Sequence, residues 1–158
     1  MTDKDYGWGL WLLVEDEELN SIMKHPTHIT IMCNMTYSDA FKLYTTLIHL
    51  CGTKHIALCN DKCEEFEGTG YSEDEPYPCC SGYYCIIEMW YIIEKFCKNR
   101  LKYDPSIGSF SEKPHITYCY SKCKDDIQYV DLKDKKYLNC KLFIADMRNP
   151  YPEQWNVK

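Results

Sequence analysis

No apolar run in this chain approaches the roughly 18 residues that a membrane-spanning helix requires. The opening residues, Met1-Thr2-Asp3-Lys4-Asp5, lack the cationic start and apolar stretch of a secretory signal. Together these absences give the expectation of a soluble, cytoplasmic protein with no membrane partner. Positive charge is the minority: 18 Lys and Arg stand against 24 Asp and Glu, a net charge of −6. That argues against general binding to duplex DNA, which needs a broad cationic face. It leaves room for a small anionic ligand, because a single pocket can be locally positive. Glycine and proline are sparse, 7 of each, and the chain has no short-period repeat and no low-complexity tract.

What the chain does have is core-forming material. Hydrophobic residues make up 45% and aromatic residues 15% of its 158 positions, enough for one packed domain spanning residues 1–158. Its 11 cysteines would suggest a disulfide framework in a secreted chain; without a signal segment, reduced thiols are expected. The 14 tyrosines, with many Lys, Ile and Asp, fit an AT-rich coding sequence such as that of some large DNA viruses.

Along the chain, Gly7 to Val14 reads as a buried strand, Glu15 to Asn20 as a charged turn or short helix, and Thr27 to Met35 as a second strand. Ser38-Asp39 resembles a helix cap ahead of an amphipathic helix from Ala40 to Cys51, which Gly52 ends. Lys54 to Asn60 is strand-like. The acidic stretch from Asp61 to Ser81 reads as a long loop or loose hairpin. A strand from Gly82 to Trp90, a helix from Tyr91 to Lys102, a loop from Asp104 to Lys113, and strands from Pro114 to Tyr120 and Leu138 to Met147 complete the pattern.

Two of these strands carry the same triplet: His28-Ile29-Thr30 and His115-Ile116-Thr117. Alternate residues of a strand share a face, so each His points with its Thr and each Ile points to the opposite, core side. Two such strands side by side bring two imidazoles and two hydroxyls into one cleft. One His can act as general base and the other as general acid. The hydroxyls can donate to phosphate oxygens as charge develops. Imidazole titrates near neutrality, so the site needs no metal and no cofactor.

The paired triplets, and above all the run Pro114-His115-Ile116-Thr117, resemble the two motifs of the 2H (two-histidine) phosphoesterase superfamily. The resemblance runs from Gly7 to about Trp155. It implies an α+β fold of two pseudo-symmetric lobes, with antiparallel sheets lining a central cleft and helices outside. It also implies catalysis by His28, Thr30, His115 and Thr117. Many bacterial members carry an Arg five residues after the second His; here that position is Tyr120, as in the plant cyclic phosphodiesterase branch. Tyr120 can donate to a phosphate but brings no charge, which argues against simple transfer of the bacterial RNA substrate.

Tyr6, Trp8 and Trp11 on the first strand, and Trp155 in the tail, are candidates to stack on a base; core packing is the alternative for each. The spaced pairs Cys59/Cys63 and Cys119/Cys123 lack the short glycine-flanked knuckles of structural zinc sites and are read as thiols. His25 is read as a loop residue facing away from His28, and His49 and His55 as structural or solvent-facing. The expected function is hydrolysis of a small ribonucleotide phosphodiester by a monomer. The substrate expected first is a cyclic oligonucleotide immune messenger such as cyclic GMP-AMP, cleaved in the host cytosol if the chain is viral. A 2′,3′-cyclic nucleotide or RNA end, or 2′-5′ oligoadenylate, is the alternative. A non-catalytic nucleotide-binding sponge and a zinc-stabilised interaction module are the readings of another class.

Overall fold

A computed structural model describes residues 7–22, 25–60, 63–67, 79–121, 137–149 and 155. Tyr6, Cys123 and the middle of the acidic stretch lie outside them.

Strand β1 (Trp8–Val14) is apolar throughout because both of its faces are buried. Leu10, Leu12 and Val14 join the main core, whereas Trp11 and Leu13 join a second, smaller cluster on the other side. Asp16 caps the short helix α1 (Glu17–Ile22), its carboxylate accepting from the Leu19 amide at 2.9 Å. Strand β2 (His28–Met35) leads to helix α2 (Tyr37–Cys51). The cap of α2 is Thr36 rather than Ser38-Asp39: the Thr36 hydroxyl accepts from the Asp39 amide at 3.2 Å, so the helix starts earlier than its apolar spacing suggests. Gly52 ends it with a φ of 76°, a left-handed conformation that favours glycine.

Strand β3 (Lys54–Cys59) is followed by β4 (Glu64–Glu67) and β5 (Cys79–Ile87). The acidic stretch is therefore partly sheet, with β4 pairing antiparallel to the first half of β5. Phe66 supplies the reason. Its ring packs against Tyr84 and His115, at 4.9 and 4.8 Å between centroids, and anchors an otherwise charged segment. Helix α3 (Trp90–Tyr103), a 3₁₀ turn (Pro105–Ile107), β6 (Ser109–Phe110), β7 (His115–Ser121) and β8 (Tyr137–Asp146) complete the described elements.

Among the described residues, every strand pairing is antiparallel. Because β1 pairs with both β8 and β2, the order β1-β8-β3-β5-β7-β2 returns to its start. Between β2 and β7 the ring is joined at the pair Ile29–Ile116. Helices α2 and α3 place Ala40, Leu43, Leu47, Ile93 and Cys97 in the main core with Leu12, Ile29, Ile116 and Leu142. The fold is thus α+β, mostly antiparallel sheet with few helices. Among the described residues, no helix is long and apolar enough to cross a membrane.

Candidate active site

The Ile29–Ile116 pair fixes the site. Both side chains are fully buried in the main core, so strand alternation sends their neighbours to the opposite face. In this antiparallel register His28 lies across from Thr117, and His115 across from Thr30. The two histidines sit on a diagonal of the ladder, a separation of about 7–8 Å, which leaves room for a phosphate between them. The triplets are related by a local two-fold through the isoleucine pair.

Both imidazoles are anchored alike. His28 Nδ1 donates to the Pro26 carbonyl at 2.6 Å, and His115 Nδ1 donates to the Lys113 carbonyl at 2.8 Å. In each case the acceptor lies two residues earlier. A carbonyl can only accept, so both Nδ1 atoms carry the proton and each neutral ring keeps its lone pair on Nε2.

The two surroundings differ. His28 is buried, with Trp11 stacked on it at 3.7 Å and 13° from parallel, and with Trp155 edge-on at 5.6 Å. Burial lowers its pKa from 6.5 to about 3, helped by the nearby His25 and His115 charges and opposed by the Pro26 hydrogen bond. His115 is only partly buried, beside Phe66 and Tyr84. Burial lowers its pKa too, against the Lys113 hydrogen bond. The Lys113 ammonium lies 5.3 Å from the Tyr84 ring centre and brings a cation to this side of the site. Thr117 is buried and Thr30 half-buried.

His25 belongs to this constellation, contrary to the expectation that it faces away. Strand parity does not reach it, because β2 begins only at His28, after Pro26. His25 is buried, its Nε2 donates to the Thr117 carbonyl at 2.8 Å, and its ring stands edge-on to Tyr120 at 4.8 Å. The proline between the two histidines was the available signal that strand alternation stops there.

Tyr120 reaches the same cluster through a bulge. Counting alternately from His115 would send it to the core. However, β7 has an extra residue, Tyr118, between the pairs Gly82–Thr117 and Ser81–Cys119. Tyr120 therefore faces His25 and Trp155, the latter at 6.2 Å.

The tryptophans divide. Trp155 is buried against Trp11, His28 and Tyr120, and its indole N–H donates to the Asn149 carbonyl at 2.7 Å. Trp11 is fully buried, with its N–H on Met147 Sδ. It has no surface on which a base could stack, and it packs on His28 instead. Trp8 sits five residues from Leu13, the partner of His28, at the far end of β1. Its ring meets Tyr37 and the Arg148 guanidinium, away from the triplets. Tyr6 lies outside the described residues.

Of the remaining histidines, His49 is exposed on α2, and buried His55 donates from Nε2 to the Gly52 carbonyl. Cys59 lies buried beside Cys85, 3.3 Å between sulfurs, rather than in a knuckle with Cys63. Among the described residues, no group of three or more His, Cys, Asp or Glu could hold a metal.

The chain matches no protein-family model, no curated protein and no solved structure.

Proposed function

We propose that this chain is a metal-independent phosphodiesterase of the two-histidine type, its halves arranged as pseudo-symmetric lobes about the Ile29–Ile116 pair. One observation carries the reading: two identical triplets present two imidazoles, each with Nδ1 tied to the carbonyl two residues earlier. A structural histidine needs no such repetition, whereas acid–base catalysis needs two ring nitrogens held at fixed positions.

The environments suggest the roles. His28, held neutral by burial, accepts a proton on Nε2 from an attacking water or ribose hydroxyl. That oxygen forms the new bond to phosphorus. His115, more open and beside Lys113, donates a proton from Nε2 to the leaving oxygen as its bond to phosphorus breaks. The phosphate anion itself favours the protonated form of His115. Thr30 and Thr117 donate to the non-bridging oxygens. Proton transfer at both oxygens by side chains requires no metal.

The substrate class is a small ribonucleotide diester, with cyclic oligonucleotide messengers favoured over 2′,3′-cyclic phosphates and 2′-5′ oligoadenylate. The acidic composition supports a small substrate over long RNA. The test is hydrolysis in EDTA of cyclic GMP-AMP, 2′-5′ oligoadenylate and a 2′,3′-cyclic nucleotide by the purified protein. At least one should be cleaved. His28→Ala and His115→Ala should each lose about 10²–10⁴-fold in kcat. Activity that survives both substitutions, or no cleavage across the panel, defeats the reading.

A further inference from the structure

Of the histidines in this cluster, one is turned the other way round. His28 and His115 point Nδ1 at the main chain, on the carbonyls of Pro26 and Lys113, and keep Nε2 for the cleft. His25 points Nε2 at the main chain instead. It donates to the Thr117 carbonyl at 2.8 Å, joining positions 92 residues apart. A carbonyl only accepts, so Nε2 of His25 carries a proton whether the ring is neutral or charged. The ring is buried. It stands edge-on to Tyr120 at 4.8 Å and to His28 at 6.2 Å between centroids.

This bond falls where the sheet itself gives little support. The ladder between β2 and β7 is the single pair Ile29–Ile116, and His25 lies before β2 begins. On the other edge of β7, the strand bulges directly after Thr117, with Tyr118 inserted between the pairs to Gly82 and Ser81. A bulge disrupts the ladder and lets the strand bend. Thr117 thus sits between a one-pair ladder and a bulge, yet its hydroxyl has to stay opposite His28. Tyr120, beyond the bulge, has to stay on the same side of the sheet. His25 supplies the tie: its N–H fixes the Thr117 carbonyl, and the same ring packs against the Tyr120 ring. One side chain from the first half of the chain holds two residues of the second.

We infer that His25 is a positioning residue for the diester site: its Nε2–H clasp on the Thr117 carbonyl sets the Thr117 hydroxyl, and across the bulge Tyr120, against His28. His25 exchanges no proton with substrate. It holds two phosphate-facing hydroxyls in register with the first triplet. Such a role acts on the rate, because donors aimed at the transition state lose their effect when displaced by a fraction of their length, while ground-state binding changes less. This inference rests on the phosphodiesterase reading.

Full-length His25→Gln and His25→Leu are compared with the unchanged chain on whichever diester of the panel it cleaves. The Gln amide can donate in place of imidazole Nε2; Leu fills the space and donates nothing. His25→Leu should lower kcat about 10–10²-fold with KM within about threefold, and His25→Gln should recover most of that loss. His25→Leu combined with Thr117→Ala should cost much less than the product of the two separate losses, since one acts through the other. A Gln variant as damaged as Leu, a loss carried by KM, or losses that simply multiply would overturn the inference and leave the phosphodiesterase reading intact. If the unchanged chain cleaves no diester, that reading fails, and the clasp is judged by NMR. The Thr117 methyl resonance should then move in His25→Leu and stay in place in His25→Gln; a resonance unmoved in His25→Leu overturns the clasp. Should His25→Leu not fold, ring ¹⁵N shifts of the unchanged protein decide. Nε2 protonated in His25, with Nδ1 protonated in His28 and His115, upholds the inference; a His25 ring protonated only at Nδ1 overturns it.

Discussion

Trp11 lies flat against His28, ring centroids 3.7 Å apart and planes 13° from parallel. This contact joins the smaller hydrophobic cluster to the candidate chemistry, because the same indole is pinned by its N–H on Met147 and by Trp155. Trp11 is a positioning residue in this reading. Trp11→Phe should retain part of the stack and lose a modest share of kcat. Trp11→Ala should lose most of kcat and cost about 3–5 kcal/mol of stability. KM should change little in both. A KM effect without a kcat effect would show that Trp11 contacts substrate after all.

The burial of His28 makes stability depend on pH. Its pKa is about 3 when folded and 6.5 as the unperturbed value, so the unfolded chain binds the extra proton between those limits. This contribution is fully present above pH ~6.5 and is lost progressively as pH falls toward 3. Its size is on the order of 5 kcal/mol. Denaturant midpoints should therefore fall from pH 7 to pH 4 in the unchanged chain and fall less steeply in His28→Gln. Because His25 is among the charges that lower the His28 pKa, His25→Asn should raise it, as read by NMR titration of the ring. An unmoved titration would place the His25 effect elsewhere.

Activity should carry the opposite pH signature from His115. Its pKa is lowered by burial, and its acid form is the one that protonates the leaving oxygen. In kcat/KM, which reports the free enzyme, activity should decline as pH rises through a value below ~6.5. In kcat, the same limb should move to higher pH, since the bound phosphate favours the protonated ring. Lys113→Ala removes the cation beside Tyr84 and should chiefly raise KM. A kcat/KM profile flat from pH 5 to 8 would remove His115 from the acid role.

The sequence displayed the triplets and their shared faces because strand alternation acts locally on His28, Thr30, His115 and Thr117. It did not display the parts that depend on interruptions of that alternation. His25 comes before the strand begins, and Tyr120 follows a bulge whose extra residue is defined only against β5. The Thr36 cap lies outside the apolar spacing of its helix, and β4 is anchored by one aromatic residue in a charged stretch. Trp8 and Trp11, by contrast, follow alternation: three positions apart on one strand, they face opposite sides, Trp8 against the main core and Trp11 in the smaller cluster.

Gly82 offers a test of the geometry behind the second triplet. It pairs with Thr117 at the step where β7 bulges, and a Cβ built there would overlap the Ile116 carbonyl oxygen and crowd the Phe66 ring. The obstructing oxygen belongs to backbone, so a side chain at residue 82 can be accommodated only by moving β7 away from β5. That movement displaces His115 and Thr117 together, and loosens the Thr117 carbonyl from His25. Gly82→Ala should therefore lower kcat by more than tenfold and destabilise the fold by about 1–3 kcal/mol. Gly52→Ala is the control: it meets nothing within 4 Å and suffers only the cost of its positive φ. It should lose stability through that strain and keep its kcat. If Gly82→Ala keeps full kcat while melting earlier, the second triplet tolerates a shifted strand, and the fixed diagonal of His28 and His115 is not what sets the rate.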